Sequence, residues 1–213
     1  MTRLPEIQTV PGEIGDEVAR IFEEDVPDYF WLARASEEHH PPDERGKGGM
    51  WLHTKRAYTA YRFLEPTYEA LSLIGDYQKT CCRAAVLLHD AFKYGRETVD
   101  PDTDYHPYAD GELQSLPEYT VPSHDTQMAT YVREETSLPE EVAGFIESHG
   151  GSPGWYGHEG PAPRTDSEMV VHTADVFASN SEHRLPVYDP SDELCQLIDT
   201  DIPVLSDGVF DDD

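Results

Sequence analysis

Apolar residues return at intervals of three and four along most of this chain, and the stretches between them are polar. Over residues 12–25, GEIGDEVARIFEED, the residues Ile14, Val18, Ile21 and Phe22 share one face, which predicts an amphipathic helix ending near Pro27. Residues 51–64 predict a second helix. QKTCCRAAVLLHDAF, residues 78–92, predicts a third, whose nearly continuous apolar run before His89 and Asp90 implies burial on most sides. Two more follow at 124–136 and 139–148, the latter opened by Ser137 and Pro139, with Glu140 and Glu141 at the positive end of the helix dipole. A last helix runs from Thr165 to about Ser181, with His172 and Asp175 three residues apart on one face. Repeats and strand-like alternation are absent, so the expected class is all-α, a helical bundle with long polar loops.

Three connections stand out. SEEHHPPDERGKGG, residues 36–49, is dense in Pro, Gly and charge and predicts an ordered turn leading into the helix that carries His53. Residues 95–122 are polar and rich in Asp, Pro and Tyr, long enough to be a functional lid or an insertion. GGSPGWYGHEGPAPR, residues 150–164, precedes the last helix; short hairpins fit either of these two loops. The end of the chain, closing on DDD, reads as a solvated tail.

Composition sharpens this picture in one respect. The 213 residues, 38% of them hydrophobic, suffice for one core, but 43 acidic residues against 15 basic ones give a formal charge of -28. The acids run from Glu13 to Asp213 instead of forming one block. Screening lengths shrink to about 3 Å at molar salt, so such a surface suits the cytosol of a halophile. The same charge argues against long nucleic acid, which is held by Lys and Arg, and for a small-molecule substrate. Three cysteines, two adjacent at Cys81 and Cys82, make no disulfide framework or zinc pair. With no apolar run of membrane length and no apolar core in MTRLPEIQTV, the expectation is a cytoplasmic, soluble protein without a membrane partner.

The candidate chemistry lies in the ten histidines, several of them beside acids at helix positions where imidazole nitrogen and carboxylate oxygen can converge on a divalent ion. LLHDAFKYG carries the strongest signal, because charge at the end of an apolar helix is costly unless a metal or a partner compensates it. Alone, the His-Asp pair is equally a carboxylate bonded to a backbone amide or orienting a histidine.

The wider pattern resembles the HD-domain superfamily. GGMWLHTKRAYTAYRFL is similar to its first ligand helix, with His53; LLHDAFK resembles the HDxxK signature, with His89, Asp90 and Lys93; VVHTADVFASN resembles the closing helix, with Asp175. The likeness covers roughly residues 36–183. It is greatest to the HD core of YhaM-type 3′→5′ exoribonucleases, through His39 and His40 before GG and HT, and through SHGG followed by HTAD. Gly150 stands where those relatives carry a second histidine, Ser123, His124 and Asp125 stand where they have GHI, and their OB-type domain has no counterpart here, so exonuclease activity is not carried over.

By this resemblance His53, His89, Asp90 and Asp175 hold one metal, and Asp90 bridges to a second held by His124 and His149. The implied activity is a metal-dependent phosphohydrolase, mono- or diesterase, acting on a nucleotide or other phosphate ester through metal-activated water. The cofactor is one or two divalent ions, with Mn, Fe, Co, Ni and Zn all compatible with the donors. Asp90 and Lys93 are the catalytic candidates, Lys93 meeting a substrate phosphate or else pairing with Asp90. Arg56, His39 and His40 are weaker candidates for touching substrate; His172 supplements the site or packs against a neighbour. His106, His158 and His183 carry no signal, and Trp31, Trp51 and Trp155 are equally base-stacking or packing residues. Two other classes remain open: a non-catalytic sensor of nucleotide or metal, and a di-iron oxygenase, while oligomeric state is unassigned. The chain divides into an N-terminal helical extension (1–35), the HD metal-binding domain (36–185), and an acidic C-terminal helix and tail (186–213), forming one compact unit.

The charge imbalance yields a direct expectation. The melting temperature should rise steadily as KCl increases from dilute to molar, because screening relieves repulsion among the acids. A flat thermal-shift curve over that range would remove the halophilic reading.

Overall fold

The first predicted stripe folds as α1 (Gly12–Arg20), which widens into one looser turn over Ile21–Asp25 before Pro27 halts it. Val18, Ile21 and Phe22 point into the core. These coordinates come from a computed structural model that describes residues 4–31, 33–35, 39–46, 48–93, 124–152 and 160–179. The remaining helices are α2 (Gly49–Ala70), α3 (Asp76–Leu88), α4 (His124–Glu135), α5 (Glu140–Glu147) and α6 (Asp166–Ala178). No strand occurs among the described residues, and the class is all-α, as expected. The 95–122 loop, residues 186–213, and the 153–159 part of the Gly/Pro loop lie outside the described residues.

The boundaries differ from the sequence pattern mainly in α2, which starts at Gly49 and runs six residues beyond Leu64, through Pro66. Pro66 lacks only the N–H that would reach the Arg62 carbonyl, and Pro66, Thr67, Glu69 and Ala70 are exposed, so the helix loses one bond and no core contact. At the other end of α2 two glycines are required. Gly48 has φ 83°, and a Cβ on Gly49 would lie 1.7 Å from the Glu44 carbonyl oxygen. The short turn Pro42–Arg45 therefore lies directly on the helix start, tied by Ala35 N–H to the Glu44 carbonyl (2.8 Å) and Met50 N–H to the Ala33 carbonyl (2.9 Å). This strap delivers the Glu44 side chain to the second turn of α2.

Helix α2 packs on α3 and α6; α3 also touches α1, α5 and α6; α4 pairs with α5. The apolar run of α3, Ala84 to Leu88, is fully buried, as its composition predicts. Leu4, Ile7, Val18, Phe22 and Phe30 belong to the same core cluster as the helices that follow. Cys81 and Cys82 are free and buried within it. At the start of α6, Thr165 Oγ1 accepts from Glu168 N–H (3.2 Å) while Glu168 Oε2 accepts from Thr165 N–H (2.8 Å), so two otherwise orphaned donors are satisfied.

Several of the scarce basic residues turn inward. Lys55 pairs with Glu6, Arg56 with Glu44, and Arg83 grips Glu65 with two bonds of 2.9 and 2.7 Å while Arg62 lies 3.6 Å from the same carboxylate. Burial disfavours a charged Glu65, yet Arg83 and Arg62 hold its pKa below the ordinary value. Glu65→Ala would leave two buried guanidinium groups without their shared anion, and urea denaturation should show a loss of about 3–5 kcal/mol. A loss under about 1 kcal/mol would mean that the cluster is solvated like a surface pair.

Candidate metal centre

The donors reach one point because four of them sit at helix ends. His89 and Asp90 occupy the turn immediately after α3, His149 follows α5, and His124 is the first residue of α4. His53 and Asp175 come from the interiors of α2 and α6, which pack together. The helix ends also orient the rings. His89 Nδ1 donates to the Val86 carbonyl (2.7 Å) and His149 Nδ1 to the Ile146 carbonyl (2.6 Å), each three residues back, at a helix terminus where carbonyls lack intrahelical partners. With its proton fixed on Nδ1, each ring presents the Nε2 lone pair to the interior.

Two groups of donors share Asp90. On one side His53 Nε2 lies 3.2 Å from His89 Nε2, 3.1 Å from Asp175 Oδ1 and 3.8 Å from Asp90 Oδ2; His89 Nε2 lies 3.6 Å from Asp175 Oδ1 and 3.7 Å from Asp90 Oδ2. Donors about 2.1 Å from a common ion stand about 3.0–3.4 Å apart, so His53, His89 and Asp90 could hold a divalent ion with small adjustment, with Asp175 Oδ1 against both rings. On the other side Asp90 Oδ1 lies 2.9 Å from His124 Nε2 and 3.6 Å from His149 Nε2, a second trio that could hold an ion. Lys93 joins this side, its Nζ 3.1 and 3.2 Å from the two Asp90 oxygens.

The cluster is nearly dry, with Asp90 2% exposed and His53 fully buried. Burial works against ionised Asp90, but Lys93 and His89 keep it well below the carboxylate range; Asp175 is likewise held down against burial by His53 and His89. Burial also works against an imidazolium at His53, and here Asp175 and Glu44 prevail, raising its pKa to about 10. His124 goes the other way, pushed to about 3 by burial and by Lys93, and burial lowers His149 too, so both are neutral donors.

Glu44 is the residue that sequence reasoning passed over. Its Oε2 accepts from His40 Nδ1 (2.8 Å) and faces His53 Nδ1 at 3.4 Å, while Oε1 accepts from Arg56 (2.7 Å). A carboxylate behind a ligating imidazole fixes its ring and raises its basicity. The only signal was an acid four residues after His40 in a turn rich in charge. Arg56 is fully buried and turned to Asp43 and Glu44; His40 stacks edge-on against the His53 ring, with centroids 4.5 Å apart. His39 is half-buried on the same turn, and His172 donates from Nδ1 to the His149 carbonyl (2.6 Å), bracing that loop. Trp31 packs on Phe22 and Phe30, and Trp51 lies beneath Lys55. His106, His158, His183 and Trp155 lie outside the described residues.

A sequence model of the HD domain matches residues 51–180, which takes in all six donors and Lys93 and leaves out the turn bearing His40 and Glu44. No curated protein and no solved structure matches the chain, so the closer likeness to YhaM-type exoribonucleases has no relative behind it.

The His53 shift carries a sign. Raised to about 10, the ring is an imidazolium at pH 7, and a metal needs its lone pair, so loading must expel that proton. Calorimetric titration with a divalent metal in buffers of different ionisation enthalpy should register about one proton released per first ion, and affinity should climb about tenfold per pH unit from about 7 towards 10. Enthalpies that do not depend on the buffer would exclude this.

Proposed function

The chain belongs to the HD-domain family, and from that premise we propose that it is a metal-dependent phosphohydrolase acting on a nucleotide or another small phosphate ester. The observation that supports this most is the division of one buried carboxylate between two donor groups, Asp90 Oδ2 towards His53 and His89, and Oδ1 towards His124, His149 and Lys93. Divalent ions held by these donors would supply Lewis acidity and a water of lowered pKa for attack on phosphorus. The protein's own part is electrostatic. Asp90 and Asp175 bring two negative charges into a dry pocket, the neutral imidazoles of His124 and His149 add donors without charge, and Lys93, partly exposed, offers an ammonium to a phosphoryl oxygen.

The surface bears on the choice of substrate. With 43 acidic residues against 15 basic ones, the chain is poorly charged to hold a polyphosphate backbone, which favours a compact ester whose charge is met inside the pocket. We place the protein in a salt-rich cytosol, where the acids that would repel an anionic substrate are screened. Among the described residues no helix is long and apolar enough to cross a membrane.

A panel of nucleotides, cyclic dinucleotides and short RNA with Mn²⁺ in molar KCl, read for released phosphate and shortened products, tests the activity. Asp90→Ala should abolish both metal uptake and turnover, more severely than any single histidine change, because a carboxylate supplies charge as well as an oxygen. Asp90→Asn distinguishes this from a structural role: a side chain that merely orients or caps survives that change at a cost near 1 kcal/mol. An Asn variant with full metal content and turnover would sink the proposal.

A further inference from the structure

Lys93 stands where a second cation would stand. The turn after α3 brings Lys93 N–H onto the Asp90 carbonyl (3.0 Å) and returns the side chain over the Asp90 carboxylate. Its Nζ then lies 3.1 Å from Asp90 Oδ1 and 3.3 Å from His124 Nε2, two atoms themselves 2.9 Å apart. Those two atoms and His149 Nε2 are the donors of the second trio. An ammonium is a donor only, so the lone pairs of Asp90 and His124 turn towards Lys93 as they would turn towards a metal.

We propose that Lys93 is a built-in competitor for the second metal position: its ammonium and a second divalent ion are alternative occupants of the nook formed by Asp90 Oδ1, His124 Nε2 and His149 Nε2. The proposal rests on the phosphohydrolase reading only in taking the first ion to be held by the His53, His89, Asp90 and Asp175 group.

Two considerations make the occupants exclusive. An ion about 2.1 Å from Asp90 Oδ1 is, by the triangle of distances, within about 5 Å of Nζ, in a pocket where Asp90 is 2% exposed and screening is weak. The charges count the same way. A first divalent ion balances Asp90 and Asp175, Lys93 then leaves the pocket at one positive charge, and a second ion beside it would bring three. Either the ammonium withdraws or the second ion stays out. Withdrawal is open to it, because the side chain is 18% exposed and ends a flexible stem, whereas the carboxylate is 2% exposed and the His149 ring is tied to the Ile146 carbonyl. Substrate follows from this: a phosphate brings the negative charge that lets the second ion enter while Lys93 moves onto a phosphoryl oxygen.

The test is metal binding, read without turnover. Wild-type protein and the Lys93→Met and Lys93→Gln variants are titrated with Mn²⁺ at fixed pH in molar KCl, by calorimetry and by the exchange-coupled resonance that two neighbouring Mn²⁺ ions produce. Both variants should take the second ion roughly tenfold or more tightly than wild type, a larger gain than any the first ion shows. Adding His124→Ala and His149→Ala to Lys93→Met should erase the second event. Unchanged or weakened second-ion binding in both neutral variants overturns the proposal; so does loss of the first ion with the second, which would assign Lys93 to holding Asp90 in place, and so does a second event that survives removal of both histidines. Wild-type protein that binds no first ion would instead defeat the phosphohydrolase reading itself.

Discussion

A carboxylate in a dry interior has to be matched by positive charge, and Asp90 is such a carboxylate, set just beyond the fully buried apolar run that ends α3. Ala84 to Leu88 bury that helix end on every side, so Asp90 cannot turn to water. Imidazole rings and one ammonium lie about it, His89 and Lys93 from its own turn and the other rings each from a different helix. Were Asp90 apolar, nothing would require five helices to end or cross here. Its burial is therefore the constraint that the arrangement of α2 to α6 satisfies.

Rings that converge on an ion must also face the right way, and the fold obtains this from groups that every helix has spare. Carbonyls in the last turns of α3 and α5 accept from Nδ1 of His89 and His149, which makes the ring orientation a by-product of helix termination. His53 lies in mid-helix and has no such carbonyl. Its ring is backed instead by Glu44, carried on a strap that can touch the helix only because residue 49 has no side chain. Buried Glu44 in turn draws in Arg56 and His40, so a local need at one ligand explains three further buried polar residues.

This difference decides what could be read from the sequence. The helices were legible because their apolar spacing is local, and His89 with Asp90 was legible because two polar residues interrupt an apolar run. His53, His124, His149 and Asp175 rested on resemblance; no periodicity singles out a histidine at a helix end from one in a solvated turn. Glu44 was invisible because its partner is nine residues on and across a turn, and an acid among SEEHHPPDER looks like solvent-facing charge until the Gly49 contact brings it inside. The extension of α2 through Pro66 lies beyond the apolar stripe, and its cost falls on an exposed helix end where the chain can bear it.

The same economy governs charge over the whole molecule. With 15 basic residues to 43 acids, every cation placed inside is one withdrawn from the surface, and Lys55, Arg56 and Arg62 are withdrawn. The interior is thereby neutralised pair by pair while the exterior is left strongly negative, a combination that tolerates concentrated salt because buried pairs are screened far less than exposed charges. Lys93 stands between these regimes, partly exposed yet bonded to a buried acid of the site. A cation in that position is held by Asp90 and His124 on the inner side and is partly open on the outer, so small changes in the charge of the pocket, a metal or a phosphate arriving, are enough to shift it.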